Sequence, residues 1–234
     1  MPLRKAEIEL VRYVAGETPL SGELAGWIEA SPRFAAFVAL HCDKIRKKLR
    51  AEGDAALSVR AELRIASLLL ADRRFDVAPE AFGAGKVGPD LTVVFRSTYR
   101  FNVEITQLRP PSVEMADRGA KFRSVVATKL RQLPAGMANV LIIAAPGSSI
   151  AIADLATAMR RVEPAAVRAG DAFFVARGFA GARSFHGHLL RLSAVCAMDE
   201  TTGVAAYWPN PLARHALPSA PARSLRRCMG VEPG

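Results

Sequence analysis

Along the first third of the chain, apolar positions recur at three- and four-residue intervals, the spacing of one face of a helix. This pattern predicts helices over residues 4–15 and 21–30. A third helix opens at Ser31, whose hydroxyl suits an N-cap, with Pro32 at the first helical position, and its pattern continues to about Arg50. After Gly53 the run "DAALSVRAELRIASLLLADRRF" predicts another helix, with Val59, Ile65, Ala66 and Leu69 on its apolar face and Arg60 and Arg64 nearly opposite. The period then falls to two. Strands are predicted near 75–78, 90–95 and 101–106, then helical spacing over 117–133 and a buried-strand run, "NVLIIAA", at 139–145. The order strand, helix, strand implies a parallel crossover. Farther on, the pattern predicts a helix over 150–162, a strand over 171–176 ("DAFFVA"), and a hairpin of "HLLRLSAVCAM" and "GVAAYW" turning through 199–203. Beyond Pro209 the composition turns to Pro, Ala and Arg, and a loose tail is expected. The fold class predicted is α/β, a mixed sheet with helices. Its parts are a helical N-terminal extension (1–53), a core (54–210) and a loose C-terminal tail (211–234).

Two carboxylates interrupt the most apolar part of this pattern, "GPDLTVVFRSTYRFNVEIT". In the first strand Leu91, Val93 and Phe95 share one face, and Asp90, Thr92 and Val94 the other. In the second, Phe101, Val103 and Ile105 are the apolar face, and Asn102, Glu104 and Thr106 the polar one. An antiparallel hairpin centred on Thr98 would set Phe95 opposite Phe101, Thr92 opposite Glu104 and Asp90 opposite Thr106. Asp90 and Glu104 then share a face as diagonal neighbours, with backbones roughly 7–8 Å apart, within reach of one cation. Glu62 sits among the apolar positions of its helix and therefore faces inward. Three acids converging on a half-buried site repel one another and need positive compensation. A hard divalent ion with oxygen ligands, Mg2+ or Mn2+, would supply it. Pairing of each acid with one of the many arginines, or exposure at a strand end, would serve as well.

An inward glutamate on a helix, then "PD" at Pro89 and Asp90, then Glu104 in "VEIT" after thirteen intervening residues, then a helix and an apolar strand, resemble the PD-(D/E)xK, restriction-endonuclease-like nuclease superfamily. The resemblance covers roughly residues 54–146 and implies an α-β-β-β-α-β core. It also implies Mg2+-dependent hydrolysis of phosphodiesters, with Asp90 and Glu104 as metal ligands and Glu62 as a supporting ligand or water-orienting group. Where the signature has lysine, two residues after the second acid, this chain has Thr106. A threonine hydroxyl replaces only part of what an ammonium does for an attacking water and for developing negative charge. The following helix offers Lys121 and Lys129. Lys129 lies beside the inward positions Phe122, Val126 and Leu133, although a lysine at the edge of an apolar face also commonly snorkels to water. The expected site is thus Glu62, Asp90, Glu104, Thr106 and Lys129, and the expected activity a metal-dependent nuclease acting on DNA. The alternative is a degenerate member that binds nucleic acid or acts as a scaffold.

Charge and composition sharpen this only slightly. Lys and Arg number 32 against 22 Asp and Glu, a net charge of +10 that attracts polyanions. The expected partners are a nucleic acid, DNA first, and a second copy of the chain. No apolar run approaches the roughly 20 residues a bilayer needs, so no membrane partner is expected. The first residues lack the apolar block of an export signal, and Cys42, Cys196 and Cys228 are too far apart for a disulfide framework or zinc motif, which points to the cytoplasm. Lys44, Arg46, Lys47, Lys48 and Arg50 could meet phosphates or complement a helix dipole. His186 and His188 are read as neighbours on a strand face. "YWPNPLARHALP" is read either as a base- or phosphate-contacting loop or as a lid that packs Trp208 on the sheet. Gln107 and Gln132 could bond a water or phosphate, and "GAGK" at 83–86 lacks the Ser or Thr of a phosphate loop.

Overall fold

The computed structural model describes residues 3–50, 54–79, 88–108, 118–145, 152–199 and 203–231. Four short helices come first: α1 (Lys5–Ala15), α2 (Leu20–Ala30), α3 (Pro32–Leu40) and α4 (Cys42–Leu49). Ser31 caps α3, its hydroxyl accepting the Phe34 N–H at 3.2 Å. The helix predicted to run on to Arg50 is in fact two. His41 leaves helical geometry (φ −115°, ψ 15°) while its N–H still bonds back to Phe37 and Val38. Ile45 then becomes the buried residue of α4.

After α5 (Asp54–Ala71) come β1 (Phe75–Pro79), β2 (Leu91–Phe95), β3 (Tyr99–Gln107), α6 (Arg118–Lys129) with a 3-10 turn at Leu130–Gln132, and β4 (Asn139–Ala144). Then follow α7 (Ile152–Ala169), α8 (Asp171–Ala176), α9 (Ala182–Leu189), β5 (Leu192–Met198), β6 (Ala205–Pro209) and α10 (Ser219–Cys228). The strands form one six-stranded mixed sheet in sequence order. β1, β2 and β3 make an antiparallel meander, β3, β4 and β5 run parallel, and β6 returns antiparallel to β5. The parallel pairs are joined by crossovers, one through α6 as the pattern predicts and a second through α7 to α9.

Alternation along the strands divides the core in two. Phe75, Val93, Phe101, Val103, Val140 and Ile142 pack under α1 to α5 and α10 on one face. Leu141, Ile143 and Val195 pack under α6, α7 and α9 on the other. Burying each such side chain contributes about 2 kcal/mol, which is why the strand faces are fixed so firmly.

Three expectations are corrected. The stretch 171–176 is helix α8 rather than a strand: Gly170 and Gly178, at φ 72° and 68°, bracket it, and six residues are too few for periodicity to separate the two. The tail expected to be loose forms α10, amphipathic and packed on α5, with Leu225 and Met229 buried. The β2–β3 hairpin is two residues tighter than predicted. Leu91 pairs with Val103, Thr92 with Asn102 and Phe95 with Tyr99. The turn closes on Arg96 and Ser97, both left-handed at φ 50° and 59°, and the Thr98 N–H bonds Phe95 O at 3.2 Å. A slip of two keeps every side chain on its predicted face. Among the described residues, no helix is long and apolar enough to cross a membrane. The "GAGK" segment at 83–86 and the middle of the 199–203 turn lie outside the described residues.

Candidate functional site

Glu104 lies on β3 opposite Leu141 of the parallel neighbour β4, so its side chain points to the sheet face covered by α6. Lys129, in the last turn of α6, meets it there: Lys129 Nζ donates to Glu104 Oε1 at 2.7 Å. The glutamate is 2% exposed, and its second oxygen, Oε2, is buried without a hydrogen-bond partner. Asp90 stands just before β2 on the same side as Thr92. Its Oδ2 accepts the N–H of Ile105 at 2.7 Å, so the carboxylate continues the β2–β3 ladder where β2's backbone stops. This backbone bond fixes Asp90 beside Glu104.

The electrostatics follow from that placement. Burial pushes the Glu104 carboxyl up to about 7, and the charge of Asp90 adds to the rise. The charge and hydrogen bond of Lys129 oppose it, and Glu62 contributes a further upward push. Glu62 therefore lies within electrostatic reach of Glu104, although it arrives from α5 on the other side of the sheet. Its Oε2 accepts from Lys48 Nζ of α4 at 2.9 Å. Both line a narrow cleft of about 20 Å³ with His41, Lys44, Pro79 and Leu91. Burial in this region, helped by the charge of Lys44, holds His41 below its ordinary pKa.

Thus Asp90, Glu104 and Lys129 form one cluster, with Glu62 and Lys48 as a neighbouring pair. Thr106 sits two residues beyond Glu104 on the same face, half-buried opposite Ile143. Lysines partner two of the acids, Lys129 with Glu104 and Lys48 with Glu62, and Lys129 points into the site instead of snorkelling away. Among the described residues, no three His, Cys, Asp or Glu side chains stand together as a ready metal group. The donor chemistry nevertheless fits a hard cation: the groups are carboxylates, and the buried Oε2 of Glu104 has no hydrogen-bond partner. Asp90 and Glu104 are the residues that could hold such an ion, with Glu62 in support.

Other candidates have structural employment. His186 and His188 lie on α9, not a strand, and two residues apart on a helix they point about 200° from one another. His186 Nδ1 meets Glu163 Oε1 at 2.6 Å, and His188 Nδ1 meets the Ser184 carbonyl at 2.8 Å. Trp208 packs against the second core, and the Asn210 amide donates to the carbonyls of Leu189 and Leu192 at 3.0 and 2.8 Å. Gln132 Oε1 is buried and unpartnered beyond the end of α6. Of the basic end of α4, Lys48 is paired and Arg46 lies 4.3 Å from the centre of the Tyr13 ring. Sequence reasoning missed Lys48 as a site residue and the Ile105 N–H as the clamp on Asp90. No sequence signal marks either, because both depend on segments brought together only by the fold. The chain matches no protein-family model, no curated protein and no solved structure.

Proposed function

We propose that the chain is a metal-dependent phosphodiesterase acting on nucleic acid, DNA in the first instance, built on a restriction-endonuclease-like core in which the lysine comes from α6. The observation that carries this reading is the buried, unpartnered Oε2 of Glu104 beside Asp90 and Lys129. A carboxylate purchased only for an ion pair would be satisfied on both oxygens, since each bare buried polar atom costs roughly 1–3 kcal/mol. The element order α5-β1-β2-β3-α6-β4 supports the same reading, because it is the α-β-β-β-α-β order the resemblance calls for.

Asp90 and Glu104 would hold Mg2+ or Mn2+, with Glu62 as supporting ligand or water-orienting group. When bound, such an ion supplies charge neutralisation at the phosphate and a more acidic water. Lys129 keeps an ammonium within hydrogen-bond reach of Glu104, where it stabilises negative charge that grows in the transition state. Ile105's N–H holds the Asp90 carboxylate in orientation. Thr106 contributes at most a hydroxyl on the same face.

The test is incubation of the full chain with plasmid, linear duplex, single-stranded DNA and RNA, in Mg2+ or Mn2+, beside Glu104→Ala. Cleavage of at least one substrate, lost in the variant, is expected. Failure of the wild type and of Thr106→Lys to cut any of the four in either metal would overturn it. One observation favours a second reading, a nuclease-fold protein that binds nucleic acid or acts as a scaffold without turnover. Glu104 and Glu62 already have lysine partners, at 2.7 and 2.9 Å, and the signature lysine position is a threonine.

A further inference from the structure

At the end of the hairpin away from Asp90, arginines from three separate segments surround an open basin of about 650 Å³. Arg73 and Arg74 come from the turn after α5, Arg96 from the tip of the β2–β3 hairpin and Arg227 from the end of α10. Leu68 and Ala71 of α5 give an apolar wall. Among the described residues the single acid in the lining is Asp72, and Arg74 occupies it, with Nε at 2.9 Å from Oδ1 and Nη2 at 2.5 Å from Oδ2. Burial and the charge of Asp72 push the Cys228 thiol up to about 12, so it adds no negative charge at neutral pH. Arg73, Arg96 and Arg227 are exposed and make no side-chain hydrogen bond or ion pair among the described residues. Arg96 rests 5.4 Å from the centre of the Phe95 ring, and its N–H bonds the Arg74 carbonyl at 2.7 Å, which ties the hairpin tip to the neighbouring turn. It is also a non-glycine residue held at φ 50°, a conformation that arginine takes only under constraint.

We propose that this basin binds the phosphate backbone of a nucleic acid without reading its sequence. Guanidinium groups match phosphate oxygens in paired hydrogen bonds, and here three of them make no hydrogen bond or ion pair among the described residues while standing on elements that the fold holds together. Among the described residues no aromatic side chain lines the basin to stack a base, so what it recognises is the backbone. Asp90 precedes β2 and Arg96 follows it. Six residues of strand at about 3.4 Å each set the basin roughly 20 Å along the hairpin from the carboxylates. The choice of nucleic acid as ligand rests on the function proposed above, but binding here requires neither a metal nor cleavage.

The experiment measures anisotropy of a labelled 24-base-pair duplex with the full chain in EDTA, across a salt series. The triple variant Arg73→Gln, Arg96→Gln, Arg227→Gln is compared with wild type and with a control of equal charge change, Lys5→Gln, Arg12→Gln, Arg168→Gln. The basin triple should lose at least tenfold in affinity and flatten the log–log salt slope by about 2–3, near 0.9 for each phosphate contact removed, while the control keeps the wild-type slope. Each single basin variant should flatten the slope by about 1, so that the result stands even if the triple folds poorly. An unchanged slope in the basin variants, or an equal change in the control, overturns the proposal. So does displacement of the duplex at equal charge concentration by pyrophosphate or by polyglutamate, which would assign the basin to small phosphates or to acidic peptides. The two readings fail separately: wild type that binds through the basin yet never cleaves sinks only the nuclease, and cleavage with an unchanged slope sinks only the basin.

Discussion

Replacing Glu104 by glutamine keeps the shape of the side chain and an acceptor for Lys129 but removes the ionisable group, and the consequence is a pH dependence that can be worked out. Each tenfold change in proton affinity is worth about 1.4 kcal/mol. A carboxyl whose pKa moves from 4.5 to about 7 on folding therefore carries about 3 kcal/mol. The sign follows from the direction. Between those two values the folded protein keeps a proton that the unfolded chain has released, so stability falls as pH rises through the window and levels off above it. Lys129, Asp90 and Glu62 are present in both proteins. The difference in unfolding free energy, Glu104→Gln minus wild type, thus isolates Glu104 and should grow by about 3 kcal/mol in favour of the variant from pH 4.5 to pH 8. Urea unfolding in EDTA at half-unit pH steps measures it. The constant offset from burying an amide N–H2 where Oε2 stood moves the whole curve and leaves its slope intact. A difference that stays flat across the window would refute the reasoning, because Glu104 would then be ionised in a site able to compensate it fully.

The partner of Glu104 gives the complementary result. Lys129→Met should destabilise by about 3 kcal/mol at pH 8, where it strands a buried carboxylate, and by roughly 1 kcal/mol at pH 5, where the carboxyl is protonated. The same unfolding series reads it, and equal losses at both pH values would mean that Lys129 acts only through packing. In single-turnover cleavage assays Lys129→Met should abolish activity while Thr106→Lys changes the rate by less than about threefold, because Lys129 already stands at the carboxylate. A Thr106→Lys variant far faster than wild type would show that the α6 lysine does not fill the role.

How much of this was legible in the sequence depends on the range over which each feature is decided. The alternation Leu91, Val93, Phe95 against Asp90 and Thr92 is local, and it placed both acids on one face even though the register was off by two. The error lay at Arg96 and Ser97, residues that do not advertise left-handed backbone as glycine or asparagine would. The order of helices and strands through β4 was equally legible, since a switch in period from 3.6 to 2 is a local signal. Break points were less so. His41 carries no breaker chemistry, yet one helix becomes two there. Phe173 and Phe174 form an apolar run too short to assign. In α10 the pattern Pro221, Leu225, Met229 was present at four-residue spacing, but arginine and proline around it suggested disorder, and only the α5 surface makes that stripe worth folding. The site divided in the same way. Three acids could be placed from local patterns, whereas their compensation by Lys129 and Lys48 is tertiary and could only be sought, not located.

The burial of Glu104 leads to one more measurable quantity. Glu104 is the most buried of the three acids, and the charges of Asp90 and Glu62 raise its proton affinity against the opposing pull of Lys129. At low pH a proton removes the cost of burying a charged Glu104 beside Asp90, which is the physical content of its pKa near 7. A divalent cation held by the same carboxylates would do so instead, and the two cannot share Glu104. At pH 6 the glutamate is about nine-tenths protonated, so binding Mg2+ should release about 0.9 proton, against about 0.1 at pH 8. Calorimetric titrations of the full chain with Mg2+ in two buffers of different ionisation enthalpy give that number directly, with Glu104→Gln as the reference that releases none at either pH. Mg2+ binding at pH 6 with no proton release would place the ion elsewhere. Release that persists undiminished at pH 8 would assign the proton to a group other than Glu104.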